Sequence, residues 1–195
     1  GDNEYNDCMN FDTAWGYWMD ELGAFENNWN HSFNVIRPTN RPETFAFVHK
    51  KTLFIGLNIV GGKASDQEEW DARLIEQAIW TTQLMKSHTG GDLALTQVGC
   101  VVIFGHANPS PSHSLFFHRL SHFIRNELAN DIPVLYMNGD AHVWSYDFPF
   151  MGHSQLLRIQ LTGGTKEPPL QVIVAPTNKL GENDTESVFL YDRRL

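Results

Sequence analysis

The stretch Val98-Gly99-Cys100-Val101-Val102-Ile103-Phe104-Gly105-His106 is apolar without alternation until it stops at a glycine and a histidine. A short unbroken apolar run of this kind suits a strand covered on both faces of a sheet. A second run of the same form, Val134-Leu135-Tyr136-Met137, stops at Asn138-Gly139-Asp140-Ala141-His142. Between them, Ser114 to about Leu128 carries apolar residues at helical spacing (Phe116, Phe117, Leu120, Phe123, Ile124). Strand, helix and strand in this order predict a β-α-β unit with parallel neighbouring strands and a right-handed crossover.

Working outward, Ser65 and Glu68 form a capping-box signature ahead of Trp70, Leu74, Ile75, Ala78, Ile79 and Met85, which predicts a long helix to about Ser87, ended by Gly90-Gly91. Phe45 to Val48 and Leu53 to Val60, split by His49-Lys50-Lys51, read as adjacent strands. Arg37-Pro38 and Arg41-Pro42 read as turns, and Phe11, Ala14, Trp15, Trp18, Leu22 and Phe25 as one apolar face of a helix. Downstream, Leu156 to Leu161, Leu170 to Val174 and Ser187 to Tyr191 are expected to form an antiparallel set of strands. No repeat or low-complexity linker divides the chain, so residues 1–195 read as a single α/β (α+β) domain.

With 195 residues, 42% of them hydrophobic, the chain has the material for a packed core, which excludes global disorder. Fourteen basic against twenty-three acidic residues give a net charge of −9, which argues against a broad nucleic-acid-binding face. No apolar run approaches the ~20 residues of a membrane span, so no membrane partner is expected. Two cysteines, Cys8 and Cys100, are too few for a disulfide framework, and Cys100 reads as a core residue. The sequons at Asn30 and Asn183 are compatible with an exported protein but leave the compartment open.

The chemistry-bearing residues lie where the two central strands end. The carboxyl ends of parallel strands share one edge of the sheet, so His106, Asp140 and His142 are expected to converge there. Imidazole and carboxylate together suit zinc, iron or manganese better than calcium. The glycines before the ligands, Gly105 and Gly139, are expected to let the backbone turn sharply off each strand. Asn108, in the Asn108-Pro109-Ser110-Pro111 loop behind His106, is a candidate substrate contact at the same edge.

Gly105-His106, Gly139-Asp140-Ala141-His142 and Gly1-Asp2-Asn3-Glu4 together resemble the last three motifs of the calcineurin-like metallophosphoesterases, in a branch written G-D-N-E-aromatic, then Cys, and G-D-x-H. Tyr5, Cys8, the acidic-Arg stretch Trp70-Asp71-Ala72-Arg73 and the tail Leu157-Arg158-Ile159-Gln160 are similar to that branch too, so the likeness runs over nearly the whole chain. The resemblance implies a four-layer sandwich, here incomplete at its N-terminal side, and a phosphoester hydrolase with two divalent ions (Mn, Fe, Zn or Mg) about 3.5 to 4 Å apart that activate water. It implies Asp2, His106 and Asp140 as ligands of one metal and His142 as a ligand of the other. Asn3 stands where the family has the histidine that protonates the leaving group, so it is expected to donate a hydrogen bond and not a proton.

The family's first two motifs precede Gly1-Asp2-Asn3-Glu4 and have no counterpart here, so the chain reads as the carboxyl-terminal portion of a longer phosphoesterase. The isolated chain is accordingly expected to bind at most one metal, weakly, and to have negligible activity. An inactive phosphoesterase-fold binding or structural module is the alternative. The substrate class, beyond a phosphoester, stays open. His118 and His122 are expected to be surface residues, Trp15, Trp18 and Trp29 to be core, and Asp147 to be either a partner of His142 or a turn residue.

Overall fold

In a computed structural model of the chain, residues 5–62, 64–90, 98–163, 167–175 and 185–193 are described. Six strands form the main sheet: β1 (Phe45–His49), β2 (Thr52–Gly56), β3 (Cys100–Phe104), β4 (Val134–Asn138), β5 (Ser145–Asp147) and β6 (Leu156–Gln160), in the order β1-β2-β3-β4-β6-β5. β2, β3, β4 and β6 run parallel, and the edge strands β1 and β5 run antiparallel to β2 and β6. β3 and β4 flank the helix α3 (Ser114–Asn126), as their apolar runs predict, and α2 (Gln67–Thr89) connects β2 to β3 in the same way.

Both crossover helices lie on one face, as they must when successive parallel strands are added in one direction with one hand. Side-chain alternation then divides the core. Leu53, Ile55, Val101, Ile103, Val134, Tyr136 and Leu156 pack under α2 and α3, against Trp70, Leu74, Phe116, Phe117 and Leu120. Cys100, Val102, Leu135, Leu157 and Ile159 point the other way, toward the two-stranded antiparallel sheet of β7 (Gln171–Val174) and β8 (Phe189–Asp192). Cys100 is fully buried there, and burial pushes its thiol above the ordinary range. The described residues thus form three layers, helices, mixed sheet and small sheet, in a mixed α/β fold.

Several expectations are corrected. Leu156–Gln160 does not join β7 and β8; it pairs parallel with β4. Its residues are apolar on both faces, with Leu156 under the helices and Leu157 and Ile159 on the far side, so it belongs inside the large sheet. Its antiparallel partner β5 is short, polar and half-buried, which is why no apolar signal marks it. β2 ends at Gly56, four residues early, because residues 57–60 leave the ladder. The α2 cap is Asp66, whose carboxylate accepts from Glu69 N–H at 3.0 Å, and not Ser65. The N-terminal helix α1 spans Phe11–Leu22 and none of its residues is fully buried, although Ala14 and Trp15 pack on the core. A short turn of helix α4 (Thr185–Val188) leads into β8. No helix among the described residues is long and apolar enough to cross a membrane.

Candidate functional site

The carboxyl ends of β2, β3 and β4 open onto a cleft of about 450 Å³ whose walls include Asn58, Ile59, His106, Asn138 and Gly139. Three backbone hydrogen bonds at His106 assemble it. The His106 N–H donates to Ile59 O at 3.0 Å, and the His106 carbonyl accepts from Gly139 N–H at 3.1 Å and Asp140 N–H at 3.0 Å. These bonds tie the segments after β2, β3 and β4 to one residue. As a result His106 Nε2 stands 3.7 Å from Asp140 Oδ1, with each side chain 28% exposed.

Gly61 allows the segment after β2 to close on this pair: a Cβ there would stand 2.5 Å from Asp140 Oδ1, so any other residue would displace the carboxylate. Gly163 does the same for His142, whose Cδ2 would lie 2.3 Å from an added Cβ. His142 itself has φ +53 and is exposed. Neither Gly105 nor Gly139 has a positive φ, but a Cβ at Gly105 would stand 2.7 Å from the Tyr136 hydroxyl oxygen, so close approach there requires glycine, whereas Gly139 has open space around it.

The segment after β2 is held from below as well. The buried His113 ring donates Nε2–H to Val60 O at 2.8 Å while its Nδ1 accepts from Ser110 Oγ at 2.8 Å. Burial lowers its pKa below the ordinary imidazole value, with Asp140 opposing the shift and Arg73 adding to it. The buried Tyr136 hydroxyl donates to Ala107 O at 2.7 Å, and desolvation drives its pKa far above that of an ordinary phenol. On the other side, Tyr5 Oη donates to Asn58 Oδ1 at 2.9 Å and accepts from the buried Arg73 guanidinium, while Asn6 Nδ2 donates to Gly61 O at 3.4 Å. The segment that follows Gly1-Asp2-Asn3-Glu4 is therefore anchored on the same loop that closes over Asp140.

Asn108 sits at the centre of a separate network. Its Oδ1 accepts from Arg158 Nη1 at 2.6 Å and from Asn138 Nδ2 at 3.1 Å. Arg158 is fixed in turn by Asp147, whose Oδ2 accepts from Nε at 2.6 Å, so Asp147 serves Arg158 and not His142. With two donors at Oδ1, the Asn108 amide nitrogen faces the opposite way. Sequence reasoning missed Arg158, Asn138, Asn58 and His113 as supports of this edge. Arg158 and Asn138 carry a signal in hindsight, each being a polar residue within an otherwise buried strand.

The structure brings His106 and Asp140 together and places His142 on the same turn as Asp140. Asp2 and Asn3 lie outside the described residues. Two donors about 2.1 Å from a shared ion stand about 3.0 to 3.7 Å apart for ligand–metal–ligand angles of about 90° to 125°, so the His106–Asp140 pair fits two positions of one cation's coordination. Among the described residues no group of three or more His, Cys, Asp or Glu side chains is placed to hold an ion. His118 and His122 are exposed on α3, as expected for surface residues. Compared with protein-family models, with curated proteins and with solved structures, the chain has no match, so the site is read from its own residues.

Proposed function

We propose that the chain is part of a metal-dependent phosphoester hydrolase of calcineurin-like type, with His106 and Asp140 sharing one divalent cation at the carboxyl edge of the sheet. The observation that carries this reading is the 3.7 Å approach of His106 Nε2 to Asp140 Oδ1, produced by the His106 carbonyl gripping two successive N–H groups after β4. When bound, divalent ions supply polarisation of the phosphate oxygens and a lowered pKa for water. The chain's own contribution is positional. His106 and Asp140 present one imidazole nitrogen and one carboxylate to a shared point, and Gly61 leaves room for that carboxylate. Asn108, its oxygen occupied by Arg158 and Asn138, offers its amide hydrogens to a phosphate oxygen.

Asp2 is assigned as a further ligand of that cation, His142 as a ligand of a second, and Asn3 as a phosphate-contacting donor. Tyr5 and Asn6 support the first assignment, because they fasten the start of the chain to the Asn58–Gly61 loop. A four-layer sandwich completed by strands of the longer protein belongs to the same proposal. The test is phosphate release by the full-length protein supplied with Mn²⁺, Fe²⁺, Zn²⁺ or Mg²⁺. Activity that His106→Ala and Asp140→Asn each reduce at least 100-fold is expected, and activity indifferent to both overturns the assignment. The alternative is an inactive binding module, motivated by Asn3, whose amide can donate a hydrogen bond but cannot hand over a proton. Metal binding without phosphate release from any ester would decide for it.

A further inference from the structure

The cleft beside His106 continues beyond the sheet. Trp18, Glu43 and Phe45 line it and also line a second groove of about 520 Å³, whose other walls include Leu22, Phe25, Trp29 and Phe33. These rings are in fixed mutual contact: Phe25 meets Trp29 edge to face with centroids 4.6 Å apart, Phe33 lies 5.0 Å from Phe47, and Trp18 stacks on Trp15 at 5.2 Å. Phe25, Trp29 and Phe33 are nevertheless 44%, 58% and 40% exposed, so Trp29 is not the core residue its sequence suggests. Large aromatic side chains left open side by side mark a binding surface.

The charges in the groove limit what it can take. Arg37 is held by both carboxylate oxygens of Glu26, at 2.8 and 2.7 Å, and also donates to Pro42 O at 2.7 Å, so its charge is already neutralised. Glu43, buried where the groove meets the cleft, accepts from Asn58 Nδ2 at 3.3 Å and forms no ion pair among the described residues. His31, the other basic side chain in these walls, accepts from Phe33 N–H at its Nδ1 and stacks on the Phe33 ring, so the walls favour a flat ring over an anion.

Resting on the hydrolase reading above, we propose that this groove is the leaving-group subsite, and that the ester cleaved is one of an aromatic or similarly flat, uncharged alcohol. His106 lines the cleft and Trp18 and Phe45 line both cleft and groove, so an ester held beside His106 would extend past Phe45 and carry its ring toward Trp18, Trp29 and Phe33. Hydrolysis exchanges the P–O bond to the ring alcohol for a P–O bond to a water oxygen, and a proton of that water leaves with the alcohol. The combined space falls in the ordinary range for a small-molecule site.

The test uses the intact protein and three probes: 2-naphthyl phosphate, glycerol phosphate and, without metal, 2-naphthol followed by its own fluorescence. Trp29→Ala and Phe33→Ala alter exposed side chains, and an unchanged circular dichroism spectrum verifies that each variant folds. Each is expected to weaken naphthol binding about tenfold, the worth of one lost ring stack. Each is also expected to raise KM for naphthyl phosphate by the same factor and leave glycerol phosphate unchanged. Naphthol binding that both variants weaken, with no phosphate released from either ester, supports the groove as a ring-binding site and counts against the hydrolase reading. Turnover of both esters with no naphthol binding overturns the subsite and leaves the hydrolase standing. Self-association that Trp29→Ala abolishes, again with no naphthol binding, overturns the subsite in favour of a second copy of the chain on this face.

Discussion

Asn108 shows how one amide acquires a defined direction. Two donors, from Arg158 and Asn138, hold its oxygen, which in the proposed site leaves its N–H groups to meet the phosphate. Replacing Arg158 with Gln removes the tie to Asp147 and lets the amide rotate. The expected result is a fivefold to tenfold weaker Kd for inorganic phosphate in the metal-loaded protein, about the 1 to 1.4 kcal/mol of one hydrogen bond, measured by calorimetry. Arg158→Lys should not restore it, since a point charge cannot serve Asp147 and Asn108 together as a planar guanidinium does. A second consequence at this scale concerns pH. His113 and His153 both have lowered folded-state pKa values, chiefly through burial; Asp140 opposes the shift at His113 and Arg73 adds to it, while Arg125 adds to it at His153. The unfolded chain therefore takes up protons first as pH falls, so stability is full above the ordinary histidine pKa of about 6.5 and declines below it toward the lowered values. Denaturation midpoints between pH 8 and pH 5 should show that decline, and His153→Asn should flatten part of it without touching the cleft.

Among the elements, the β-α-β unit was fully legible because Val101–Ile103 and Val134–Tyr136 are apolar on both faces and the helix between them is amphipathic. The tail was not. Leu156–Gln160 has the same two-faced burial as β4, but Arg158 interrupts its apolar run, so its place inside the parallel sheet is set by tertiary pairing and not by local pattern. α1 reads as amphipathic, yet its aromatic face stays partly open because only Ala14 and Trp15 pack on the core while Trp18 and Leu22 line a groove. This difference between helices is measurable. Phe116 on α3 is fully buried against Phe117 and the sheet, and Phe116→Ala should cost about 3 to 5 kcal/mol by urea denaturation. Phe25→Ala, at a position 44% exposed, should stay within about 1 kcal/mol.

For the molecule as a whole, the site is a product of topology. Parallel strands deliver His106 and Asp140 to one edge, and that convergence was visible in the sequence because both residues directly follow apolar strands. Their supports were not visible, since Asn58, His113 and Arg158 come from widely separated segments and only the folded sheet brings them to one place. Under the proposed function, an acidic chain of net charge −9 gains its substrate affinity locally, through bound cations, and not from a basic surface. The shared cation is decisive for this site, and titration of the 195-residue chain with Mn²⁺, read by electron paramagnetic resonance, detects it. A single weak site that both His106→Ala and Asp140→Asn abolish is expected. Two tightly bound equivalents, or binding that survives both substitutions, would contradict it.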